Sequence, residues 1–250
     1  MFTWKDPALR VTDTSLLELH KAGLKVTHIT PKLGSYISGI QLNQLNDAAK
    51  YELAWLIPQR KVLAFHNRDL IHDGPAARRE YMRYFGKPNY QPVPGSIKGY
   101  LGFHIIQKNS NKEELARFLD QKPTTTLWHQ DVSYEVQPPG YVMLGCLQGP
   151  DVGGNTVFAS TDVAYSRRPL GLKESEQGVL LEFLMQYMVM GHDFQAQVSW
   201  APRSIVMFDN CCTLHTAVVE YINDDDTVKL RRLVRLAVIA EKLIPVTQGN

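Results

Sequence analysis

Up to about Gly86 the apolar positions mostly recur three and four residues apart; from Thr124 onward they alternate or cluster in short runs. The first spacing belongs to helices and the second to strands. In the first part, Asp13-Thr14-Ser15 is expected to cap a short helix through Ala22, with Gly23 stopping it. Residues 25–29 alternate as a strand, and residues 61–66 form a buried one. Asn46-Asp47 opens a helix that turns Leu53, Leu56 and Ile57 to one face until Pro58 interrupts it. Pro75 suits the first turn of a helix over 76–85, ended by Gly86. Residues 108–122 are polar and read as a loop with one helical turn.

The second part predicts strands at 124–134, 141–148, 156–160, 195–200, 204–209 and 229–239, separated by Pro, Gly and Asp turns. Between them residues 174–189 form the clearest helix. Val179, Leu180, Phe183, Leu184 and Tyr187 are spaced there for one buried face. Helices first and then many strands predict an α+β fold, with the strands closing into a sandwich or jelly roll. No repeat, low-complexity tract or linker interrupts the pattern, so residues 1–250 are expected to form one domain.

Composition narrows the class further. Of 250 residues 44% are hydrophobic and 21% charged, the balance of an ordinary globular chain. A net charge of +2, spread along the sequence, gives no electrostatic basis for nucleic-acid or anionic-membrane partners. Apolar runs such as 233–239 fall far short of a membrane span, and the N-terminus lacks a signal-peptide layout. Three cysteines, Cys146, Cys211 and Cys212, two of them adjacent, make no disulfide framework and point to a reducing, cytoplasmic setting.

The chemistry concentrates in Trp128-His129-Gln130-Asp131. On a strand His129 and Asp131 point to the same face, offering an imidazole and a carboxylate side by side to a divalent metal. A second histidine would complete the facial triad of non-haem Fe(II) oxygenases. A His-x-Asp step is common by chance, so its neighbours decide. His215, at the turn after strand 204–209, is the best third ligand. A zinc site from Cys211, Cys212 and His215 is a weaker candidate, because adjacent cysteines do not match the usual chelate spacing. Arg231 and Arg235, four apart on the last strand, share a face among apolar neighbours, where a guanidinium needs an anionic partner; an anion from solution would relieve it.

Taken in order, Trp128-His129-x-Asp131-Val132-Ser133, Pro138-Pro139-Gly140, Gly153-Gly154-Asn155-Thr156, Phe208-Asp209-Asn210-x4-His215 and Arg231-x3-Arg235 closely resemble the taurine dioxygenase (TauD/TfdA) family. The N-terminal half is similar too, through Gly34-Ser35-Tyr36-Ile37-Ser38-Gly39 and Tyr84-Phe85-Gly86. The resemblance implies a double-stranded β-helix with flanking helices and an Fe(II)- and 2-oxoglutarate-dependent dioxygenase that consumes O2 and releases succinate and CO2. By it, His129, Asp131 and His215 match the iron ligands. Thr156 and Arg231 match the residues that hold 2-oxoglutarate, and Arg235 matches one that holds a small anionic substrate: a sulfonate, sulfate ester or carboxylate. Gln91 stands where sulfonate-specific relatives carry a histidine, and Thr125 where the taurine enzyme has an asparagine, which points away from taurine itself.

Asp131 and His215 lie only 84 residues apart, fewer than the family pattern. The pattern stops near Tyr165 and resumes near Arg167–Lys173, while Asp224-Asp225-Asp226 lengthens the step from His215 to Arg231. The shortened interval implies an alternative, a non-catalytic remnant that binds metal and 2-oxoglutarate. It also implies uncovered strand edges, which a homo-oligomer would cover.

Overall fold

The computed structural model describes residues 3–91, 95–108, 128–161, 174–218, 230–239 and 241. The polar segment 108–122 past Lys108, Thr125, the junction near 165–173 and the acidic run 224–226 lie outside them.

Two facing sheets carry the fold, as a jelly roll requires. The larger has nine strands: β1 (Lys25–His28), β2 (Ser35–Ser38), β3 (Val62–Phe65), β4 (Lys87–Pro88), β5 (Ser96–Ile97), β6 (Tyr100–Lys108), β7 (Pro139–Gln148), β10 (Ile205–Asp209) and β12 (Arg231–Ile239). Its order is β1-β2-β3-β10-β7-β12-β6-β5, with β4 paired to β12. The smaller sheet orders β11 (Thr213–Ala217), β8 (Thr156–Ser160) and β9 (Gln195–Val198). All pairings are antiparallel except β2 with β3.

Alternation along the central strands explains why they read as continuous apolar runs. Leu63, Phe65, Met143, Ile205 and Met207 face helices α2 (Asp47–Arg60) and α3 (Gly74–Arg83). Val62, Ala64, Val142, Leu144, Val206 and Phe208 face the smaller sheet through Phe158, Ala196 and Val198. Both faces are buried, so neither shows a polar stripe. The functional residues sit between the sheets.

Three expectations are corrected by the structure. The helix opened by Asn46, whose side chain accepts from Ala49 N at 2.8 Å, runs through Pro58 to Arg60. Pro58 has no N–H for Ala54 O, and the Tyr141 hydroxyl lies 3.4 Å from that carbonyl while bonding the Asp6 carboxylate at 2.9 Å. The first helix, α1 (Leu17–Lys21), starts later than expected; the Asp13 carboxylate instead accepts from Ser15 N at 2.9 Å. The helix α4 (Glu174–Met190) forms where expected, but Val179 and Phe183 are 72% and 59% exposed. Periodicity marks which positions share a face, not whether a neighbour covers them. Here Phe183 stacks on Tyr187 at 6.2 Å, and Tyr187 in turn meets Phe194 at 5.1 Å. Leu180 lies outside the described side chains.

Candidate active site

His129 is not on a regular strand. It forms an isolated bridge with His215, each backbone N–H donating to the other's carbonyl at 3.1 and 2.9 Å. The chain then turns at Asp131, and Val132 takes a left-handed φ of 57°, which a β-branched residue adopts only when its surroundings enforce it. Asn210 does so. Its amide accepts from Asp131 N at 2.9 Å and donates to Asp131 O and Pro139 O at 2.9 and 3.0 Å. The Asp131 carboxylate is thus aimed by a turn that Asn210 braces, not by strand alternation. It still shares a face with His129, whose Nε2 lies 4.0 Å from Asp131 Oδ1.

His215 lies within β11 rather than at a turn, opposite Phe158 of β8. Its ring is packed by Phe158 and Phe208 and lies 4.3 Å from that of His129, centroid to centroid. Burial above all pushes its pKa down to about 4, so the imidazole is neutral, as a metal ligand must be.

The ligand atoms of His129, Asp131 and His215 all lie within 4.8 Å of one another. Asp131 Oδ2 and His215 Nδ1 are buried with no hydrogen-bond partner, a costly state that a bound cation relieves. Two imidazoles and a carboxylate, with no thiolate, suit Fe(II). Among the described residues no such group includes Cys211 or Cys212; Cys211 Sγ points at Pro139 O, 3.8 Å away.

Arg231 and Arg235 both face inward, while Arg232 between them is exposed. Arg231 Nε donates to Gly154 O at 2.8 Å and Nη2 to Thr156 Oγ1 at 3.0 Å. The carbonyl is presented by Gly153 and Gly154, at φ of 83° and 68°, a turn that only glycine makes cheaply. Arg235 differs from expectation, because its anionic partner is internal: Nη1 meets Asp131 Oδ1 at 2.5 Å. Nη2 bonds Gln91 Oε1. The pair occupies Asp131 Oδ1 and leaves Oδ2 without a hydrogen-bond partner.

Three neighbours escaped the sequence reading. Asn210 lies inside the Phe208-Asp209-Asn210-x4-His215 motif, whose spacing assigns it no role. Trp200 donates from Nε1 to Thr156 Oγ1 at 3.1 Å, and the Arg231 guanidinium lies over its ring at 5.9 Å. His104 of β6 sits directly across from Arg235 on β12, hence on the same face. Burial and the Arg235 charge lower its pKa. No signal local to these residues gives them away, since each acts through a partner distant in sequence.

A two-histidine, one-carboxylate cluster between the sheets of a jelly roll defines a mononuclear non-haem metal enzyme. The chain belongs to the family described as taurine catabolism dioxygenase TauD, TfdA, whose profile matches residues 25–175. It is accordingly a dioxygenase that uses Fe(II), 2-oxoglutarate (α-ketoglutarate) and O2. An α-ketoglutarate-dependent sulfonate dioxygenase of Saccharomyces cerevisiae is 32% identical, over 87% of this chain and 69% of that one. That alignment spans 284 positions against 250 residues here, so the yeast protein carries segments that this chain lacks. An α-ketoglutarate-dependent sulfate ester dioxygenase of Pseudomonas putida is 25% identical over 62% of this chain and 48% of its own length. The crystal structure of a taurine dioxygenase from Burkholderia xenovorans superposes with a TM-score of 0.71 at 18% identity, covering 87% of this chain and 90% of that one. It has the same double-stranded β-helix fold. The profile match ends at residue 175, close to where the motif spacing places the missing chain.

Proposed function

We propose that this dioxygenase oxidises a small anionic organic compound, a sulfonate, sulfate ester or carboxylate, with release of succinate and CO2. The observation that carries this reading is the meeting of Arg235 and Gln91 beside the triad, a hydrogen-bonding corner in which a guanidinium already paired with Asp131 lies within reach of a metal held by His129, Asp131 and His215. The names of the yeast and Pseudomonas relatives agree with such a substrate.

In this reading His129, Asp131 and His215 hold Fe(II), and Thr156 with Arg231 holds the distal carboxylate of 2-oxoglutarate. Bound Fe(II) supplies O2 activation coupled to decarboxylation of the keto acid. The chain's own residues orient and exclude: Asn210 fixes the turn at Asp131, Phe158 and Phe208 wall off His215 from water, and Arg235 with Gln91 orients the substrate anion. Gln91 in place of a histidine argues for an anion other than taurine.

One domain over residues 1–250 is supported by a single sheet that draws strands from Lys25 to Ile239. Three free cysteines favour a reducing, cytoplasmic setting. No helix among the described residues is long and apolar enough to cross a membrane. Among the described residues the end strands β1 and β5 of the larger sheet are each paired on one side only, which leaves room for a homo-oligomer. The test is succinate release with Fe(II), 2-oxoglutarate and O2 across a panel of sulfonates, sulfate esters and carboxylates. Turnover on at least one anion, lost in His129→Ala and Asp131→Ala, is expected; turnover that survives those substitutions would overturn the assignment.

A further inference from the structure

We infer that Trp200 is a positioning residue that fixes the direction of the Thr156 hydroxyl proton, so that Thr156 acts as a dedicated hydrogen-bond donor to the 2-oxoglutarate carboxylate. The inference rests on the proposed placement of 2-oxoglutarate against Thr156 and Arg231.

A threonine hydroxyl has one proton to give and two lone pairs to fill. At Thr156 both lone pairs are taken, by Trp200 Nε1 at 3.1 Å and by Arg231 Nη2 at 3.0 Å. An indole N–H and a guanidinium only donate, so neither can receive the Thr156 proton. Thr156 is 2% exposed, and no acceptor for that proton lies among the described residues. A buried hydroxyl proton with no acceptor is unfavourable, and an incoming carboxylate oxygen satisfies it. The same Trp200 ring lies under the Arg231 guanidinium, so one side chain sets both anchors of the acid. Trp200 itself is held just past the end of β9, and Phe158, two residues on from Thr156, stacks on His215. The anchor and the ring that packs against His215 are therefore built on one short strand.

Trp200→Phe keeps an aromatic platform for Arg231 and removes only the indole donor. Anaerobic titration of 2-oxoglutarate into the metal-loaded protein should show a Kd raised roughly three- to tenfold, the worth of one neutral hydrogen bond. Metal affinity and kcat at saturating 2-oxoglutarate should be unchanged. In a Thr156→Val background the same substitution should have almost no further effect, because Trp200 acts through that hydroxyl. An unchanged Kd in Trp200→Phe, or effects of the two substitutions that simply add, would overturn the inference. If Trp200→Phe fails to fold, the wild-type protein loaded with Zn(II) decides. Of its four indole N–H resonances, that of Trp200, assigned by elimination with Trp→Phe variants at the other positions, should shift on adding 2-oxoglutarate. A resonance that stays put would refute the role. Arg231→Ala separates the two layers: full 2-oxoglutarate affinity in that variant would refute the placement of the acid itself, whereas loss there with a normal Trp200→Phe would refute only the role of Trp200.

Discussion

Acidification should destabilise the metal-free protein through His215. The ordinary histidine value is 6.5, and burial between Phe158 and Phe208 lowers that of His215 to about 4. Between those values the unfolded chain takes up a proton that the folded chain refuses. The penalty is absent above pH 6.5, grows as the pH falls, and is complete below about 4. A displacement of that size is worth about 3 kcal/mol, a large share of the stability of a domain. Burial lowers His66 as well, whereas it raises Asp6 and Asp209, which pull the other way. The informative quantity is therefore the difference between wild type and His215→Gln. Urea unfolding with a chelator present, from pH 7.5 to 4.5, should show wild type losing about 2–3 kcal/mol relative to the variant. Parallel pH profiles for the two proteins would refute the reasoning, because His215 would then titrate alike folded and unfolded.

The two inward arginines should separate by ligand. Arg231→Ala should weaken 2-oxoglutarate by about 2–5 kcal/mol, the usual loss on truncating a buried charge partner, while Arg235→Ala should leave 2-oxoglutarate binding nearly unchanged, raise KM for the anionic substrate and, because it strips Asp131 of its ion-pair partner, also alter metal affinity; calorimetry, metal titration and steady-state kinetics on both variants check this. Asn210→Ala leaves the backbone N–H and C=O of Asp131 without their partner and should cost about 2 kcal/mol of stability and lower metal affinity at least tenfold, read by urea unfolding and by metal titration. Phe208→Ala, at 0% exposure, should cost about 3–5 kcal/mol, whereas Phe183→Ala on the open face of α4 should stay within about 0.5 kcal/mol in the same unfolding assay.

What the sequence disclosed depends on how local each feature is. His129 and Asp131 are two residues apart, and Gly153-Gly154-Asn155-Thr156 is a single turn, so ordered motifs exposed them. Most central strands were legible because residues buried on both faces stay apolar throughout. Strand β2 and the nine residues of β6 were not, because Tyr100–Lys108 mixes His104, Gln107 and Lys108 with its apolar positions. The helix through Pro58 is not legible locally because the group near the freed Ala54 carbonyl, Tyr141, lies on a strand far along the chain. The Asp131–Arg235 pair and the Trp200–Thr156 bond join residues 104 and 44 positions apart, and only the register of the sheets together with the turns at their ends brings them together. Register is a property of the whole sheet, so no local pattern announces it.

The central claim is that His129, Asp131 and His215 hold Fe(II), with 2-oxoglutarate chelating it beside Thr156 and Arg231. The most direct measurement is the visible absorption spectrum of the protein under anaerobic conditions, titrated with Fe(II) and then with 2-oxoglutarate. No substrate needs to be known, because a keto acid chelated to Fe(II) gives a charge-transfer band of its own. The wild type should develop that band at one equivalent of each, and His129→Ala, Asp131→Ala and His215→Ala should not. A wild-type protein without the band, or folded triad variants that retain it, would contradict the account.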